Sequence, residues 1–151
     1  MNAELTTDAY PAPDTDAAMV LGMAATAMPF ARSNEDQAER WLRILRLHGE
    51  AGTALQALGV SEAPLESTHH TEDAGQADRA SEIAADVVAK VTGNAMDLAG
   101  ERGAHALSTT DVLVAVMRVY GSDFDRVLRV HGTDHDEVLE RLGQQAGSAE
   151  H

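Results

Sequence analysis

Seven histidines and 25 acidic side chains are the groups here that could ligate a metal or move a proton, so their spacing comes first. His69 and His70 stand beside Glu72 and Asp73, a donor set of the right types for zinc. Adjacent residues on a weakly patterned segment point apart, however, and nothing fixes an outer shell to orient them. No metal site is expected there. His131 and His135 have the spacing of a zincin pair, but Gly132 and Thr133 break the helix that would put both rings on one face. Both are expected at helix ends. There is no G-x-S-x-G and no Ser, His and acidic trio in a strand–turn–helix setting. The absence of cysteine removes disulfides, thiolate catalysis and Cys-ligated zinc or iron–sulfur centres. The one lysine, Lys90, follows no phosphate-cradling G-x-x-x-x-G-K-[ST] loop. The expectation is a protein that is not an enzyme and uses neither metal nor cofactor.

Residues suited to binding are easier to find. Met19 and Met23, with Met28, lie on an apolar helix, and flexible thioethers suit either a core or a peptide surface. Glu35, Glu39 and Asp111 fall near helix starts, where a carboxylate complements the helix dipole or could dock a cation or an arginine-bearing peptide.

The formal charge of −14 would repel nucleic-acid phosphates and anionic membranes, so neither is an expected partner. The apolar run from Ala17 to Ala31 follows Glu4, Asp8, Asp14 and Asp16 with no preceding Lys or Arg, unlike a secretory signal, and is short for a membrane span. The expectation is a soluble cytoplasmic protein.

These residues need helices to hold them. Aromatics are only 3% of a chain that is 44% hydrophobic, so the core must come from Ala, Leu, Val and Met, which favours a helix bundle. Residues 1–15, with Pro11 and Pro13, form an expected flexible tail, and residues 144–151 another. A first helix is predicted over Asp16–Phe30, ended by Pro29 and Ser33. Ala38, Trp41, Leu42 and Leu45 form one stripe of a second helix, and a third runs from Glu50 to Leu58 and stops at Gly59. Apolar residues thin out from Ser61 to about Gln76, which suggests a linker. A long helix follows over Asp78–Ala99. Ser108 and Asp111 form a capping arrangement before Val112, Leu113, Val116, Met117 and Tyr120. Further helices run from Gly121 to Gly132 and from Thr133 to Gly143.

An internal repeat emerges. Ala54-Leu55-Gln56-Ala57-Leu58-Gly59-Val60 and Val127-Leu128-Arg129-Val130-His131-Gly132-Thr133 match in pattern at an offset of 73 residues. Each copy has an Ala-rich helix, an amphipathic helix and a short Gly-ended helix, leaving an apolar face that its sister could cover. One domain over residues 16–143 is expected: a first repeat over about 16–65, a linker over about 66–77 and a second repeat over about 78–143.

The stretch from Leu107 through Ser108, Thr109, Thr110, Asp111, Val112, Leu113 and Val114 to Met117, followed by Asp125 to Gly132, resembles the Clp N-terminal repeat domain of the Clp unfoldases. In that family the helix opens Gly-Thr-Glu-His-Leu-Leu-Leu. Thr109 keeps the Thr, Val112 to Val114 keep the apolar triplet, and Thr110 and Asp111 replace Glu and His. In the first half, Glu39 before Arg40, Trp41 and Leu42 is the best match, and Glu35 followed by Asp36 is a competing register. The resemblance implies an all-α fold of about eight helices in two pseudo-twofold-related repeats. It also implies grooves that dock peptide segments, Clp adaptors or the unfoldase itself, or cyclic peptide antibiotics, and the candidate residues for such binding are Met19, Met23, Glu35, Glu39, Thr110 and Asp111. The departure at Thr110 and Asp111 counts against phosphoarginine recognition. Without an ATPase module, the chain would be a standalone binding protein, an adaptor or a sequestering decoy. The alternative is a structural module in which the Ala- and Met-rich first helix mediates self-association.

Overall fold

The computed structural model describes residues 12–60 and 74–149. Among them are seven α-helices: α1 (Thr15–Ala27), α2 (Asn34–Leu45), α3 (Gly49–Ala57), α4 (Ala74–Glu101), α5 (Thr109–Tyr120), α6 (Ser122–Val130) and α7 (His135–Ala149). The protein is mostly helical, as its aliphatic composition requires. Two short strands, β1 (Ala12–Pro13) and β2 (Ala106–Leu107), pair in parallel and tie the start of the chain to the approach to α5. No described helix is long and apolar enough to cross a membrane.

The helix ends follow local chemistry. Asp14 accepts the Ala17 N–H and caps α1, which starts one residue ahead of the expected boundary, while Pro29 turns the far end into a 3₁₀ turn over Met28–Phe30. Ser33 accepts the Asp36 N–H at the start of α2. Ser108 and Asp111 cap each other reciprocally at the start of α5. Two Gly-ended helices share one hydrogen-bond pattern. At α3, the N–H groups of Leu58, Gly59 and Val60 donate to Ala54, Gln56 and Leu55; at α6, those of His131, Gly132 and Thr133 donate to Val127, Arg129 and Leu128. Gly59 and Gly132 take φ of 91° and 93°, the left-handed backbone that lets the chain leave a helix this way.

Three further boundaries depart from expectation. Helix α4 begins at Ala74, inside the segment read as a linker; Ser61–Asp73, with His69, His70, Glu72 and Asp73, lies outside the described residues. Gly143 does not stop α7, which continues to Ala149. Ala12 and Pro13, placed in the N-terminal tail, are paired with Ala106 and Leu107.

The most extensive helix–helix contact is between α4 and α5, and α2 packs on α6, α3 on α5 and α7, and α1 on α2 and α4. The stripe Ala38, Trp41, Leu42 and Leu45 is buried and joins Leu55, Val91, Val112, Leu113, Phe124 and Leu128 in one core.

Candidate binding surface

Glu35 and Glu39 lie one turn apart on α2, and both are already paired with α6. The Arg126 Nε donates to Glu35 Oε2 at 2.5 Å, and Arg126 also bonds Asp123. Glu35 and Arg126 are each more than half exposed, so water and salt weaken this pair. The Glu35 carboxylate raises the Arg126 pKa further, which leaves that cation charged at any relevant pH. Glu39 meets the Nε2 of His131 at 3.1 Å, and the imidazole is almost completely enclosed. His131 is the residue that closes α6, so it does sit at a helix end.

Between these pairs and the core runs a buried polar chain. The Trp41 indole N–H donates to the Tyr120 hydroxyl at 3.0 Å, and that hydroxyl donates to Gln37 Oε1 at 2.7 Å. Burial pushes the Tyr120 phenol up to about 12, partly offset by the bond from Trp41. One tyrosine thereby satisfies two polar groups of α2 that would otherwise be stranded in an aliphatic interior.

Asp111 is an interior residue. Its carboxylate accepts the Ser108 N–H at 2.9 Å and the Arg102 Nε and Nη2 at 3.0 and 2.5 Å, with the side chain 4% exposed. Every strong acceptor position is therefore committed to the start of α5 and to Arg102. Its neighbour Thr110 is half-buried. Met19 and Met23 are on α1, with their side chains on the solvent side and Val20 and Ala24 beneath them.

The six residues singled out in the sequence thus occupy three helices, two on each. An open depression of about 370 Å³ lies elsewhere, where α5 turns into α6 and α6 approaches α7. Met117, Gly121, Ser122, Asp125, Arg129 and His135 help to line it. Asp125 organises its rim: its carboxylate accepts the His135 N–H and the Arg129 Nε, both at 2.9 Å. The backbone bond from His135 is the main reason its pKa is lowered from 3.8. No group of three or more His, Asp or Glu among the described residues is placed to hold a metal ion. The depression holds charge of both signs, from Arg129 and from Asp125, Asp134 and Asp136.

Arg126, His131 and Asp125 were not visible as partners from the sequence. Asp123–Arg126 and Asp125–Arg129 have helix-pair spacing, which marks charged faces on α6 but says nothing of what α6 packs against. Compared with known proteins, the chain matches no family model, no curated protein and no solved structure.

Proposed function

We propose that this chain is a binding protein built like a Clp N-terminal repeat domain, docking peptide segments, adaptors or cyclic peptides and so modulating or mimicking the docking domain of a Clp unfoldase. The observation that carries this reading is the agreement between two helix pairs. Ser33 and Ser108, 75 residues apart, each begin a 12-residue helix with an aspartate three residues on. Gly59 and Gly132, 73 apart, each follow a 9-residue helix and use the same cap hydrogen bonds. The two-residue difference is the length of the connector, Arg46 to His48 in one pair and Gly121 alone in the other. Agreement at the start of the first helix, at the end of the second and in both helix lengths supports duplication of one unit, and with it the two-repeat architecture.

This register also favours one of two alignments. It sets Glu35 level with Thr110 and Asp36 level with Asp111, so Glu35, rather than Glu39, takes the place of the family's glutamate. Glu35 is exposed and holds an arginine, which supports recognition of guanidinium-bearing segments there.

The test is calorimetric titration of the purified protein with cyclic peptides directed at Clp unfoldases and with a Clp unfoldase itself. Saturable binding to either is expected. A folded protein that binds neither removes the reading.

A further inference from the structure

We propose that the outward face of α1 is the contact surface of a homodimer in which two copies of α1 run antiparallel. From Ala17 to Ala31 the chain has no charged residue. Val20, Ala24 and Met28 fill the core side, yet the outer side is apolar too: Met19 and Met23 are 48% and 40% exposed, and Phe30 is 72% exposed. Thr26 donates its hydroxyl to the Met23 carbonyl at 2.9 Å, so even this polar group is satisfied within the helix. A helix apolar on every side is ordinarily covered on every side. Gly22 lies between the two methionines, and a Cβ there would meet nothing within 4 Å. The fold itself therefore has no need of a glycine at that point, and the bare backbone leaves room for another helix to approach closely.

Charge selects the occupant. The exposed Asp14 and Asp16 stand at the N-terminal end of this uncharged face, and the exposed Arg32 stands at its C-terminal end. An antiparallel copy brings Asp16 against Arg32 of the partner subunit, and the dyad repeats that contact at the other end. The helix dipoles then oppose, which is also favourable. Asp16 and Arg32 are equally distant in sequence from Ala24, so the dyad passes beside Met23, which meets its own copy. A uniformly cationic peptide would match the aspartates but would set a positive end against Arg32. One helix face is small beside the ~800 Å² per partner of a standard interface, so the dimer is weak and concentration-dependent. Each copy carries −14, and salt that screens this repulsion strengthens association. None of this depends on a Clp-related role.

Sedimentation velocity on the full chain, across concentration and at low and high salt, tests the proposal. A monomer–dimer equilibrium that tightens with salt is expected. Asp16→Arg and Arg32→Asp should each weaken it by roughly tenfold, and the double reversal should restore it. Met23→Glu should abolish the dimer without changing the helical circular dichroism or the unfolding midpoint. A protein monomeric under all conditions overturns the proposal, as does a dimer indifferent to Met23→Glu or a double reversal that fails to restore it. So does a monomer that binds a cationic amphipathic peptide at α1 with affinity falling as salt rises.

Discussion

Thr109 caps a helix to which it does not belong. Its hydroxyl accepts the Ala51 N–H at 3.1 Å, joining the start of α5 to the first turn of α3, where His48 gives no side-chain cap. The approach is close: a Cβ on Gly49 would lie 2.5 Å from that hydroxyl, and Gly49 has φ of 62°. Thr109→Val should therefore cost about 1–2 kcal/mol through the orphaned amide. Gly49→Ala, which adds a clash and a strained backbone, should cost more than about 2 kcal/mol. Urea unfolding of both variants checks the order.

Tyr120→Phe removes the link between Trp41 and Gln37 and strands both, so a loss of about 1–3 kcal/mol is expected. The alkaline limb carries its own signature. The folded phenol is raised from 10.0 to about 12, so its contribution is fully present below pH 10 and disappears as pH climbs towards 12. The stability difference between the parent protein and Tyr120→Phe should shrink over that interval in denaturant titrations.

Asp111 and Asp36 hold equivalent cap positions but differ in burial, with side chains 4% and 21% exposed. Asp111→Asn should cost about 1–2 kcal/mol, because it weakens the cap and takes the hydrogen-bonded carboxylate away from the half-exposed Arg102, which keeps Glu50 as an acidic neighbour. Asp36→Asn should cost about 1 kcal/mol or less. Thermal unfolding of the two variants separates them.

Asp125 gives an acid signature of opposite sign. Its folded pKa is lowered from 3.8, so the stability it contributes is present above 3.8 and is lost as pH falls through the lowered value. Asp125→Asn should be less stable than the parent near neutrality, with the difference closing in acid. A pH series of unfolding midpoints measures it.

Much of the scaffold was legible because it is encoded locally. The stripe at Ala38, Trp41, Leu42 and Leu45, the Ser108–Asp111 cap and the glycines after α3 and α6 each announce themselves within a few residues. The pairing of Ala12–Pro13 with Ala106–Leu107 was not legible, since two residues have no period to detect. Nor was the run of α7 past Gly143, where one glycine weakens a helix but need not end it. At the candidate binding surface, the position of Glu35 and Glu39 near a helix start was readable. Their partners, Arg126 and His131, lie about ninety residues away, and only the packing of α2 on α6 brings them together.

Because α2, α3, α5 and α6 contribute to one core, the early and late helix pairs should unfold as one body. Native-state hydrogen exchange on the full chain measures this directly. Buried amides in α2 and α5, and the Ala51 amide held by Thr109, should exchange only through one common opening whose free energy equals that of global unfolding. If the amides of α2 and α3 exchange through a separate, lower-energy opening while those of α5 and α6 stay protected, the halves are independent and the account is wrong.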